Sequence, residues 1–165
     1  MLSKFDARRV WEEFAGQNPP TTYMAVPTMY QKLFEAFDAA DEPTQKRWAA
    51  GAKKLRLATS GSAALPVTLA ERWRSITGWV PLERFGMTEI GVGASNPIDP
   101  LGRRPGSVGK PLRTVESRLV DEAGAPRHRV VGDVSSVVVR RRRCRAARSR
   151  KPLAQSHEPP PTRVR

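Results

Sequence analysis

An α/β fold with a largely parallel sheet and flanking helices is the architecture the sequence predicts, and three observations predict it. Short apolar segments of strand character (residues 21–26, 55–59 and 79–84) alternate with segments of helical periodicity. The turn between the second such strand and its helix, Ser60-Gly61-Ser62-Ala63, is built of small residues. No uninterrupted apolar run approaches the roughly 18 residues of a membrane span, so a span is excluded and the apolar segments belong to a water-facing core.

Each element has a local reason. Asp6 caps a helix over residues 7–15, where Val10, Trp11 and Phe14 share one face. Residues 16–20, from Gly16 to Pro20, stop it. Residues 21–26 then read as a short buried strand. Pro27 suits the first position of a helix, and Tyr30, Leu33, Phe34 and Phe37 give that helix an apolar stripe. Asp41-Glu42-Pro43 ends it and opens another short helix through Trp48. Residues 55–59 form the second strand, Pro66 starts a helix that reaches about Ile76, and Gly78 ends it. Residues 79–84 form the third strand. Beyond Glu89 the punctuation by Gly91, Gly93, Pro97, Pro100, Gly102 and Pro105 predicts a loop-rich stretch. Residues 115–120 alternate as a strand, residues 121–124 make a hairpin turn, and Val130-Val131 and Val137-Val138-Val139 have strand character. There is no internal repeat. Ligands of open parallel sheets bind beyond the carboxyl ends of the strands, so the Ser60–Ala63 turn and residues 85–89 are where a site is expected.

The net charge of +13 is unevenly placed. Residues 127–165 hold 12 Lys and Arg against Asp133 and Glu158, whereas residues 1–126 hold 17 Lys and Arg against 14 Asp and Glu. The body is an ordinary domain and the basic character belongs to the tail. From about Arg140, where Arg140-Arg141-Arg142-Arg143 and later Pro159-Pro160-Pro161 cannot build a core, disorder is expected. A basic run without interleaved aromatics neutralises phosphate but cannot stack on bases, so nucleic acid is disfavoured as a partner. Cys144 is the sole cysteine, which rules out an intrachain disulfide and a cysteine-built metal site; His128 and His157 have no partner for one either. Residues 1–6 carry no signal-peptide core.

Four ordered motifs carry a family resemblance. They are Val26-Pro27-Thr28-Met29-Tyr30, residues 59–66, the run Leu82-Glu83-Arg84-Phe85-Gly86-Met87-Thr88-Glu89, and Ser95-Asn96-Pro97 followed by residues 103–112. Together they resemble the adenylate-forming (AMP-dependent acyl-CoA synthetase) superfamily, and the last two resemble its malonyl-CoA synthetase branch. The resemblance spans about residues 4–126. It implies part of the large N-terminal domain of such an enzyme, a partial AMP-binding domain over residues 1–126 followed by a divergent basic, Pro/Arg-rich tail over residues 127–165.

The activity the resemblance implies is ATP-dependent ligation of malonate to coenzyme A through an acyl-adenylate, with ATP and Mg²⁺ at the site and coenzyme A as cosubstrate. Gly61, Ser62, Ala63, Phe85, Gly86, Met87 and Thr88 would line the nucleotide. Thr88 would meet the α-phosphate, and Glu89 is the oxygen ligand suited to Mg²⁺. Phe85 replaces the family's usual Tyr, which keeps stacking and loses a phenol hydrogen bond. Malonate brings a second carboxylate that needs a cation, and Arg84 can bind it with two parallel hydrogen bonds, assisted by Ser62 and by Lys32. The alternatives weighed are an acyl-CoA synthetase for another small or fatty acid, and a non-catalytic protein binding nucleic acid through the basic tail.

The family's Gly-rich phosphate loop is expected upstream of residue 1, and its ribose-holding Asp and C-terminal catalytic Lys have no counterpart in residues 127–165. A truncated or frame-shifted gene product, inactive alone and marginally stable, is therefore the expectation. Relatives occupy cytoplasm and mitochondria, and either compartment fits.

Overall fold

The computed structural model describes residues 5–113, 115–119 and 137–141. In chain order the elements are α1 (Ala7–Ala15), β1 (Thr22–Ala25), α2 (Pro27–Asp38), α3 (Glu42–Ala52), β2 (Leu57–Ser60), α4 (Val67–Thr77), β3 (Leu82–Met87), β4 (Gly91–Ser95), a 3-10 turn (Pro100–Gly102), β5 (Lys110–Pro111), β6 (Val115–Leu119) and β7 (Val137–Arg141). Strands β1, β2 and β3 are parallel and adjacent, joined by helical crossovers, as the alternating pattern predicts. Strands β4 and β5 extend the sheet antiparallel. Strands β6 and β7 form a separate antiparallel pair.

The helix boundaries follow local chemistry. Asp6 accepts a hydrogen bond from the Arg9 backbone N–H at 3.1 Å and so caps α1, as read from the sequence. Pro27 and Pro43 occupy first-turn positions of α2 and α3, where a missing N–H costs nothing. Helix α3 runs one turn past Trp48 to Ala52, and in that turn Gly51 lies against the backbone of α1 at Phe14. Gly78 stops α4 in the left-handed conformation, φ 93°.

All four helices lie on one face of the sheet. Their core is aromatic: Trp11 stacks on Trp48 (5.9 Å, 7°) and on Trp73 (6.1 Å, 21°), and all three are fully buried. Each such pair contributes about 0.5–1.5 kcal/mol beyond its buried area. The Tyr30 hydroxyl donates to the Thr59 carbonyl at 3.1 Å and ties α2 to β2. Trp11, Phe14, Tyr30, Phe34 and Phe37 are core residues, as their helical spacing predicts.

Three expectations need correction. Strand β1 is not buried throughout: it alternates, with Met24 63% exposed and Tyr23 packed on Phe14, Tyr30 and Trp73. The cause is that helices cover one face only, and period-two geometry turns every second residue to the other. Strand β3 begins at Leu82 rather than residue 79 and continues through Phe85, Gly86 and Met87, so most of the motif expected beyond the strand is strand. The glycine-rich stretch after Glu89 is not loop at its start: Gly91–Ser95 returns as β4, and a bulge between Phe85 and Gly86 sets its register. Glycine permits that approach, since a Cβ on Gly86 would lie 2.5 Å from the Gly91 carbonyl oxygen.

The predicted strands at residues 115–120 and 137–139 appear as β6 and β7, paired from Val115 opposite Arg141 to Leu119 opposite Val137. The point near Arg140 where disorder was expected falls inside β7. The hairpin turn at residues 121–124 and the Val130-Val131 segment lie outside the described residues.

Candidate functional site

Strand alternation divides the expected site between two faces. Ala25, Ser60 and Glu83 are register partners across β1, β2 and β3 and share a face; Ser60 and Glu83 are buried there, and Glu83 takes its hydrogen bond from Leu65, at the entry to α4. Met24, Thr59 and Leu82, one residue earlier in the same register, turn the other way with Arg84. They line a cavity of about 1220 Å³ whose wall is completed by residues 95–98, Gly102, Arg104, Ser107 and residues 109–112. Arg84, Arg104 and Lys110 all line it, and among the described residues no Asp or Glu does. Arg84 is half-buried and makes no ion pair among the described residues.

The small-residue loop meets this cation. A Cβ on Gly61 would stand 3.8 Å from the Arg84 guanidinium carbon, so β2's end and Arg84 are in contact distance of one another. Ser62, beside it, is exposed with φ 67° and is the only non-glycine residue in the left-handed region among those described. Residues are held in such conformations only where their surroundings over-determine them, and they cluster at functional sites. Ala63 is exposed at the loop tip.

The remaining expected residues lie along the β3–β4 hairpin. Phe85 packs where a Cβ on Gly93 would be, 3.3 Å from its ring, and keeps part of its surface free. Gly86, Met87, Thr88 and Glu89 are exposed at the strand end and the turn that follows. Lys32 does not join them: it is exposed on α2 and is absent from the cavity wall. Among the described residues, no three His, Cys, Asp or Glu side chains are grouped to hold a metal ion. Glu89 offers one exposed carboxylate, which suits an ion whose other ligands are nucleotide phosphates and water.

The sequence reading quoted Asn96 and Arg103 only as part of a motif and gave neither a task beside the cavity. Arg103 is 6% exposed and makes no salt bridge among the described residues. It donates through Nη1 to the Val80 carbonyl at 2.8 Å, through Nε to the Pro97 carbonyl at 3.2 Å, and to the Ile98 carbonyl; its guanidinium lies over the Trp79 ring at 5.5 Å. Burial lowers its pKa. Asn96, also buried, accepts from the Arg104 N–H at 3.1 Å and donates to the Ser107 carbonyl. Together they pin the connection from β4 to β5, which carries Arg104. Glu83 was read only as part of a motif. The available signal was its parity: in a strand, the neighbour of a cavity-facing Arg84 must face the helices, where a carboxylate requires partners.

A sheet with helical crossovers, a small-residue loop at the end of β2 and an aromatic-Gly-x-Thr-Glu hairpin after it define a class. The chain belongs to the AMP-binding enzyme family, whose model matches residues 1–142. Within that family it is similar to a mitochondrial malonate–CoA ligase of Mus musculus, 49% identical over 127 residues, which cover 74% of this chain and 22% of that protein. Among solved structures it is similar to the ATP-bound MatB of Rhodopseudomonas palustris (TM-score 0.65, 34% identity, 86% of this chain and 25% of that one). It is also similar to a malonyl-CoA ligase with methylmalonyl-CoA and AMP bound (TM-score 0.64, 35% identity, 85% and 28%). The chain thus spans about a fifth of the length of the curated relative. No helix of the described residues is long and apolar enough to cross a membrane.

Proposed function

We propose that the chain is the central segment of the adenylation domain of a malonate–CoA ligase. The observation that carries the reading is the cavity beside Gly61, which Arg84, Arg104 and Lys110 line with no carboxylate among the described residues of its wall. A monocarboxylic acid spends its one anionic group in the reaction; only an acid with a second carboxylate gains from a cation held at the far end. That chemistry agrees with the malonate ligases the chain is similar to.

In the whole enzyme, malonate's reacting carboxylate would attack the α-phosphate of ATP, releasing pyrophosphate, and the coenzyme A thiol would then displace AMP. This segment's part is positioning and charge. Arg84 holds the second carboxylate, with Ser62 donating beside it. Phe85 gives adenine a flat face, Gly61 and Ala63 let the nucleotide come close to the backbone, and Gly86 and Met87 line it. Thr88 donates to the α-phosphate. Glu89 would hold Mg²⁺, which when bound offsets phosphate charge. Lys32, apart from the cavity, contributes long-range charge at most. A mitochondrial location follows the named relative.

The test is a segment exchange in which residues 5–119 replace the matching segment of a malonate–CoA ligase, assayed by pyrophosphate release with malonate and with acetate. The exchanged enzyme should use malonate. Arg84→Ala should lower kcat/KM for malonate about 100-fold, the loss typical of unpairing one member of a hydrogen-bonded charge pair, while acetate use is kept. An equal loss for both acids would make Arg84 structural and defeat the reading.

A further inference from the structure

Glu83 is 4% exposed and forms no ion pair among the described residues. Its Oε1 accepts a hydrogen bond from the Leu65 backbone N–H at 2.9 Å. A carboxylate is costly to bury, so one kept here for a single backbone donor has a task that an apolar residue could not perform. We propose that Glu83 is a positioning residue that fixes the loop of residues 61–65 against β3, and so holds Ser62 at a set distance from Arg84. The proposal rests on the function proposed above.

The loop has two anchors. At its start the Gly61 N–H donates to the Ala25 carbonyl at 3.3 Å, and at its end the Leu65 N–H donates to Glu83. The Leu65 side chain is 3% exposed, whereas Ser62, Ala63 and Ala64 stand in solvent. Between fixed ends, three residues must reverse direction, and Ser62 absorbs the turn at φ 67°. Releasing one end lets Ser62 relax into an ordinary conformation and drift from Arg84. Glu83 and Arg84 are consecutive in β3, so the strand that supplies the substrate-facing cation also supplies the strut for the opposite wall.

The second oxygen explains which replacement should work. Glu83 Oε2 and the Ser60 hydroxyl are both buried and both without a partner among the described residues. They belong to register partners on strands about 4.8 Å apart. A glutamine keeps the acceptor for Leu65 and points its amide NH₂ toward the serine oxygen. The strut therefore needs a carbonyl-type oxygen, not a charge.

The experiment uses the full chain, with residue-resolved amide hydrogen exchange by NMR on wild type, Glu83→Gln and Glu83→Leu. In Glu83→Leu, exchange at Leu65 should accelerate roughly tenfold relative to amides of α1 and β1, the loss expected for one hydrogen bond. Glu83→Gln should exchange as wild type. Unchanged Leu65 protection in Glu83→Leu, or an equal acceleration of all amides, overturns the proposal; the latter marks a general loss of stability. If Glu83→Leu does not fold, deprotection of Leu65 in Glu83→Gln overturns it instead. Malonate titrated into the same samples separates the two readings. Binding that weakens about tenfold in Glu83→Leu and survives in Glu83→Gln supports both. A wild-type chain blind to malonate counts against the ligase reading and leaves the exchange result to decide Glu83.

Discussion

Replacing Gly51 by alanine should destabilise the protein although it improves helix propensity. Gly51 lies in the last turn of α3, where alanine is worth about 1 kcal/mol over glycine on propensity alone. Opposing this, the new Cβ would stand 2.3 Å from the Phe14 carbonyl oxygen, 2.6 Å from its carbon and 2.8 Å from the Ala15 nitrogen. These are backbone atoms of α1, so no rotamer change relieves the overlap. The helices must part by about 1 Å, and a gap of that size forfeits a quarter to a half of each dispersion contact along the seam. The seam includes the Trp11–Trp48 stack at 5.9 Å and the Arg47–Glu12 pair. Overpacking costs typically 1–3 kcal/mol, and a backbone clash belongs at the upper end. The net loss should be about 2 kcal/mol, or a fall in Tm of roughly 6 °C for a chain of this size. Thermal unfolding followed by tryptophan fluorescence measures it, since Trp11 and Trp48 report on the seam itself. Ala50→Gly, on the exposed side of the same helix, should cost about 1 kcal/mol and serves as the propensity control. A Gly51→Ala protein that melts higher than wild type would refute the α1–α3 crossing described above.

Tyr23→Phe should raise Tm: the ring contacts remain while a buried hydroxyl without a partner, whose pKa burial pushes up, is removed; chemical unfolding should show a gain of about 1 kcal/mol. Arg103→Met should lose about 3 kcal/mol in urea unfolding, because the Val80 and Pro97 carbonyls are stranded in a buried site; Arg103→Lys, a point charge in place of a fork, should recover only part. Glu12 has its carboxyl pKa lowered by the Arg47 hydrogen bonds. Its contribution to stability is present above the ordinary carboxylate value and disappears as pH falls through the lowered one. Both side chains are about half exposed, so the effect should be small and vanish at high salt, and Glu12→Gln should flatten that limb of the stability–pH curve.

Much of the fold was legible because its signals are local. Asp6 before Ala7, Pro27 at a helix start and Gly78 at a helix end act within one turn of themselves, and α1 falls on the residues the sequence predicts. The path of residues 85–95 was not legible. A glycine-rich segment reads as loop, yet Gly86 and Gly91 serve to bring β3 and β4 together, a contact seen only when both strands are in place. The site was half legible for the same reason. Arg84 could be assigned a task from its chemistry and its motif, whereas only the structure showed that Lys32 stands exposed on α2 and is not among the residues lining the cavity.

The sequence by itself determined the family, the alternation of strands and helices, and the run from Glu83 to Glu89 as the place to look for a site. Those depend on residue order and on period, which are properties of a single stretch of chain. Only the tertiary structure decided that the helices cover one face of the sheet, that Arg84, Arg104 and Lys110 line one cavity on the other, and that Glu83 accepts a hydrogen bond from Leu65. Each of these joins residues far apart in the chain: Glu83 lies 18 positions from Leu65, and Arg103 lies 23 from Val80. A buried polar group finds its partner through the packing of whole elements, and no local pattern records which partner that will be.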